Sequence, residues 1–148
     1  MKFDNFVKYA GSDGTILKAD NGDTWLMFGK VGMKIPEGRA VCGKSFMMPQ
    51  YMEDLIYKYD DYDACELTAA FVPQAYSKPS ELMRKFTGGD LFIDVPNKVF
   101  GFIEKNDHTY INQLECPEDN KFFTALLVSR DYGSEKEFKM IYLESEDL

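Results

Sequence analysis

Residues 15–28 read T-I-L-K-A-D-N-G-D-T-W-L-M-F, two runs of strand-forming residues on either side of Asn21-Gly22. Asn-Gly in this setting is the strongest short-range hairpin signal, because a two-residue type I′ turn needs positive φ at both centres and these residues tolerate it best. On the first arm Ile16, Lys18 and Asp20 fall opposite Leu17 and Ala19, and the return arm carries Trp25, the one tryptophan of the chain. A two-stranded ribbon is marginal in water, so one face has to be buried against further strands, a helix or a partner. The remainder of the chain has to supply that cover.

Residues 2–10 suggest a first strand through Phe3, Phe6, Val7 and Tyr9, and G-S-D-G at 11–14 a turn, so the first three elements are expected to form an antiparallel meander. Residues 29–38, with three glycines and Pro36 around Val31, Met33 and Ile35, have the composition of a short irregular or edge strand. Residues 39–46 suggest another strand, which Pro49 prevents from continuing. Over 51–59, Met52, Leu55, Ile56 and Tyr59 recur at helical spacing while Glu53, Asp54 and Lys58 take the other side, which predicts a helix. Its acid comes early and its lysine late, as the helix dipole favours.

Residues 64–72 fit a helix or a strand and stop at Pro73. S-K-P-S-E at 77–81 suggests a cap for a short helix over 80–86, with Ser77 or Ser80 as the capping residue and Gly88-Gly89 as the end. Strands are then expected at 91–95, 98–104, 109–114, 122–129 and 138–143. The last two form a final hairpin across D-Y-G-S, and residues 144–147 form a solvated acidic end. No period marks repeated units. The expected fold class is α+β, mainly antiparallel β, with an N-terminal meander, C-terminal hairpins and two short helices between them. One compact domain over 1–148 is expected, since a chain of this size buries enough surface for its own core.

The formal net charge of -8 disfavours attraction to a nucleic-acid backbone or an anionic membrane, so neither is expected as a direct partner. Cys42, Cys65 and Cys116 form no Cys-x-x-Cys pair and no disulfide framework, and their odd number fits a reducing compartment. Asp4 and Asn5 interrupt any leader-like apolar run, and no stretch reaches transmembrane length, so a cytoplasmic location is expected.

G-R-A-V-C-G-K-S at 38–45 satisfies the phosphate-loop pattern G-x-x-x-x-G-K-S and resembles the loops of P-loop nucleotide hydrolases. The resemblance implies Gly38 and Gly43 shaping a nest of amides, Lys44 on the outer phosphates and Ser45 on magnesium, with Asp94 at the end of L-F-I-D as the aspartate facing the metal. Against it, Ile35-Pro36-Glu37 precedes the motif and Pro49 removes a donor from the helix that should follow. A strand flanked by glycine turns, with Lys44 a solvated lysine, is the plainer reading. His108, the one histidine, sits in the turn K-N-D-H-T, where a lone histidine is ordinarily a surface residue; the rarer reading pairs it through the fold with Cys42 as a thiol and its base.

The acids Asp60, Asp61, Asp63 and Glu66 lack the spacing and central glycine of a calcium loop, as does D-N-G-D at 20–23. Interleaved with Tyr51, Tyr57 and Tyr62, these acids suggest a surface for a basic or amphipathic protein. The same pattern arises when tyrosines line a core with their hydroxyls outward. A third reading, mimicry of a nucleic-acid backbone to inhibit a basic protein, requires these acids to join Glu115, Glu118 and Asp119 in one stripe.

The leading expectation is a non-catalytic protein-binding or assembly module. It needs no cofactor, metal or catalytic residue, and its partner is a protein, basic in character or a second copy of the chain. A compact, acidic, strand-rich chain without catalytic motifs resembles small phage or mobile-element accessory proteins. Nucleotide binding through Gly38, Gly43, Lys44 and Ser45 is the alternative from a different class.

Overall fold

β1 (Thr15–Lys18) and β2 (Thr24–Phe28) pair antiparallel with Leu17 opposite Trp25. The computed structural model, which describes residues 1–58, 60–73, 81–130 and 137–148, closes this ribbon differently from a two-residue turn. Of the two central residues only Gly22 has positive φ, at 94°. The Gly22 amide donates to Ala19 O at 3.0 Å and the Ala19 amide to Asp23 O at 2.8 Å. This is a type I turn followed by a left-handed bulge residue, a three-residue loop that asks for positive φ once. Asn21 serves instead as an acceptor, its Oδ1 taking the Asp23 amide at 2.9 Å.

The meander is real but starts one element later than expected, as β1, β2 and β3 (Val31–Lys34). The segment expected to be its first strand is a helix, α1 (Phe3–Ala10), which buries Phe6 and Ala10 one turn apart. F-D-N-F-V-K-Y-A places apolar residues at both period 2 and period 3.6, and the pairing partners that would make it a strand go elsewhere. Nor is β3 an edge: it lies between β2 and β11 (Phe138–Asp147), with Val31, Gly32 and Met33 buried.

The large sheet adds β4 (Lys44–Met47), β5 (Asp63–Ala64), β9 (His108–Cys116) and β10 (Lys121–Ser129), in the order β4-β1-β2-β3-β11-β10-β9-β5. β4 runs parallel to β1 and the other pairings are antiparallel. The final hairpin is β10 and β11 as expected, its turn lying outside the described residues. After β5 the chain crosses at Cys65 into a second, antiparallel sheet of β6 (Glu66–Phe71), β7 (Met83–Gly88) and β8 (Leu91–Pro96). Residues 64–72 thus resolve as strand. The helix expected over 80–86 is instead β7, paired on both sides, a non-local pairing that overrides the local capping signal. The caps Ser77 and Ser80 lie outside the described residues.

The strand expected at 98–104 is replaced by α3 (Asn97–Phe100) and a turn. Val99 and Phe102, three residues apart, are both buried, and Phe102 packs edge-on to Phe6 at 5.5 Å. The helix at 51–59 is confirmed as α2 (Gln50–Glu53) running into a wider π turn, Asp54–Lys58, with Met52, Leu55 and Ile56 buried. Tyr59 is outside the described residues. The protein is therefore α+β and mostly antiparallel, with three short α-helices among the described residues. Among those residues no helix is long and apolar enough to cross a membrane.

Both faces of the large sheet are buried. On one, Leu26, Met33, Ile111, Leu126 and Met140 pack under α1, α3 and the small sheet, which contributes Phe86, Ile93 and Val95. On the other, Trp25, Tyr110, Leu127 and Ile141 pack under Met52, Leu55 and Ile56 of the α2 region. The crossover between sheets is tight, since a Cβ on Gly88 would lie 2.6 Å from Ala64 O and 2.8 Å from Cys65 Cβ. Gly88→Ala is expected to lower stability by about 1–3 kcal/mol, the usual cost of overpacking a filled site. Urea denaturation checks this, and an unchanged midpoint would mean that the two sheets do not meet so closely at Gly88.

Candidate functional site

The run G-R-A-V-C-G-K-S is a turn followed by an edge strand. Gly38 (φ 79°) lies in the turn where the Arg39 amide donates to Pro36 O at 3.1 Å. Arg39 pairs with Asp4 at 2.9 Å and lies over the Phe3 ring, which ties the loop to α1. Gly43 passes against β1, where a Cβ would sit 3.0 Å from Gly14 O. Lys44 and Ser45 then open β4 opposite Thr15 and Ile16. A phosphate loop needs amides converging at the start of a helix. Here the next helix begins at Gln50, beyond Pro49, and is four residues long. Lys44 and Ser45 stand along a strand, so the arrangement that the phosphate-loop resemblance implies is absent from these residues. Asp94 belongs to β8 in the other sheet and pairs with Lys85 at 3.5 Å.

The tyrosines and acids expected to share an interface separate. Tyr51 stacks on Phe123 at 4.2 Å, and Tyr62 meets Tyr110 and Phe138 edge-on at 5.3 Å and 5.1 Å. Asp60, Asp61, Asp63 and Glu66 are exposed. The rings complete the core under α2 and the carboxylates face solvent. Asp63 pairs with Ile111 on β9, and the uncharged Asn112, Gln113 and Leu114 separate that position from Glu115 along the strand. Among the described residues no group of three or more His, Cys, Asp or Glu is placed to hold a metal ion.

Tyr57 is the hub of a polar chain under the hairpin. Trp25 Nε1 donates to Tyr57 Oη at 2.8 Å, and Tyr57 Oη donates to Asp23 Oδ2 at 2.8 Å. The Lys34 ammonium reaches Asp23 at 3.4 Å and pairs with Glu137. Burial pushes the Tyr57 phenol above its ordinary range; the Trp25 indole opposes this and the Asp23 carboxylate adds to it. At the same end of the ribbon the buried Glu53 carboxylate accepts the Asp20 amide at 3.0 Å. These contacts clamp the α2 region onto the hairpin.

Cys42 is exposed in the loop before β4, while His108 opens β9 near the opposite end of the strand order. The cysteine that shares a cavity with His108, of about 660 Å³, is Cys65. Burial pushes the Cys65 thiol up to about 11, with the Thr109 hydroxyl acting the other way. A thiol held that high is not a nucleophile at neutral pH.

Sequence reasoning missed the open edge itself. All four residues of β4 are exposed, Phe46 at 54% and Met47 at 69%. The Met48 amide donates to Lys18 O at 2.9 Å. Backbone groups alternate in direction along a strand, so those of Phe46 also turn to β1 while those of Ser45 and Met47 point away from the sheet. Pro49, which has no N–H, ends the row. The proline was legible in the sequence, but the direction of the row depends on a parallel pairing that is not. Comparison with protein-family models, with curated proteins and with solved structures gives no match.

Tyr57→Phe removes both hydrogen bonds of the hub and is expected to cost about 1–3 kcal/mol in urea denaturation. The folded phenol titrates above the ordinary value of 10.0, so its stabilisation is complete below pH 10 and is lost as pH rises past it. The variant should therefore show a shallower alkaline loss than the parent; an identical slope would contradict the buried hydrogen bonds. In folded protein at pH 8, iodoacetamide should alkylate Cys42 well before Cys65, as read by peptide mass mapping. Equal rates would contradict the raised thiol.

Proposed function

We propose that the chain is a non-catalytic protein-binding module that takes an extended segment of a partner protein as an added strand along β4. What supports this reading is the coincidence, on one edge, of outward backbone groups at Ser45 and Met47 with exposed Phe46 and Met47 side chains. Strand addition uses the first for affinity and the second for selectivity. Native proteins ordinarily close such edges with a bulge, a proline or a cover. The edge of β6 has a bulge between Leu67 and Ala69, and β5 is two residues long, whereas β4 offers an unbulged row of four residues that closes only at Pro49. The row offers few main-chain bonds, which suits a transient or assembly contact. A second copy of the chain, joining β4 to β4, is one partner of this kind.

Selection of random dodecapeptides on the immobilised protein tests the reading. Enriched peptides should slow hydrogen exchange at the Ser45 and Met47 amides. Met47→Pro removes only an outward N–H and should abolish binding while leaving the fold intact. Peptides that bind Met47→Pro as well as the parent, or no enrichment at all, would overturn the β4 assignment.

A further inference from the structure

The large sheet outruns the small one. On the face they share, Thr124 stands between Gln113 and Glu144, and Phe122 opposite Glu146. These residues form a shelf beyond the core, and β8 overhangs it with an edge that no other described strand pairs. The groove between them holds about 470 Å³. Gly88 and Leu91 flank the two-residue turn of the β7–β8 hairpin, so Leu91, Ile93 and Val95 direct their backbone groups to β7. Those of Phe92 and Asp94 face the groove, and Pro96 ends the row. The Phe92 side chain is 56% exposed.

Charge in this groove is one-sided. Asp90, Asp94, Glu144 and Glu146 line it, and its described lining contains no lysine or arginine. Glu144 is met from outside by Lys30 at 2.8 Å and by the Tyr142 hydroxyl, and Asp94 by Lys85. Asp90 and Glu146 have no ion pair among the described residues.

We propose that the groove takes an extended segment of a partner protein, added to the edge of β8, with lysine or arginine at alternate positions over the shelf. The open backbone row calls for an extended chain, and the carboxylates call for cations. Phe122, opposite Glu146 on the shelf, supplies apolar surface for the aliphatic stems of such side chains, whereas the Phe92 ring lies on the other face of β8 under the Lys85 ammonium at 4.2 Å. Alternate residues of a strand share a face at about 6.8 Å spacing, the repeat at which Glu144 and Glu146 follow each other on β11. The proposal rests on the protein-binding reading but not on β4, so the two fail separately.

The probe is a fluorescein-labelled octapeptide alternating lysine with valine and threonine, followed by anisotropy in low salt. Binding should saturate, slow exchange of the Phe92 and Asp94 amides, and weaken about tenfold in Asp90→Lys/Glu146→Lys, a double charge reversal at surface positions. Met47→Pro should bind the octapeptide unchanged, whereas a failure of the β4 reading would appear only in the dodecapeptide selection. Equal binding of an isomer with its lysines in one block would mean diffuse attraction to the net charge and overturn the proposal. Full displacement by spermine at equal charge would mean a cation site without strand addition, and would overturn it too, as would the absence of saturable binding.

Discussion

A sheet with apolar side chains on both faces has to be covered twice, and most of this fold follows from that requirement. Trp25 and Leu26 are neighbours on β2, both almost fully buried, yet they belong to cores on opposite sides of the sheet. Every long strand carries the same division: Ile111 faces one core and Tyr110 the other, as do Leu126 and Leu127. One cover is local in sequence, the α2 region clamped to the hairpin by Tyr57 and Glu53. The other is assembled from distant parts, α1, α3 and a whole second sheet. Burial of this kind is the dominant favourable contribution to folding, and here it draws in chain from both ends.

That division also explains which parts of the fold were legible in the sequence. The β1–β2 ribbon and the β10–β11 hairpin are local pairings with alternating residues, so residues 15–28 and the strands near 122–129 and 138–143 could be read directly. α1 and β7 could not, because their identity depends on what they pack against. F-D-N-F-V-K-Y-A suits either period, and M-R-K-F-T-G becomes a strand only because β6 and β8 flank it. Lys44 and Ser45 match the pattern of a chemistry that needs a helix but stand on a strand. Their significance comes from which neighbours they lack among the described residues, and a missing neighbour leaves no mark on residue spacing.

The tyrosine and acid cluster teaches the same lesson from the opposite direction. Tyr51, Tyr57 and Tyr62 were placed among exposed acids by sequence adjacency, but a ring has more apolar surface to hide than a carboxylate. The chain therefore turns alternately in and out through this region. Tyr51 stacks on Phe123, Tyr62 packs edge-on to Phe138 and Tyr57 is held by Trp25 and Asp23, while Asp60, Asp61 and Asp63 remain in water. What the acids gain is solvation rather than a shared surface with the rings.

The management of strand edges ties architecture to the proposed binding. Four strands lie at sheet ends, and they are not treated alike. β5 is too short to offer a row, and β6 has a bulge between Leu67 and Ala69. β4 and β8 each expose the backbone of two residues, Ser45 and Met47 or Phe92 and Asp94, and each row is terminated by a proline. A terminated row cannot extend into an unlimited sheet, which guards against the aggregation that open edges invite. It also supplies too few main-chain bonds to hold a segment by backbone alone. Selectivity must then come from the side chains beside each row, and these differ. Phe46 and Met47 accompany Lys44 on β4, whereas β8 overlooks carboxylates. Two short edges of similar backbone capacity and unlike chemistry would accept different segments without competing for them.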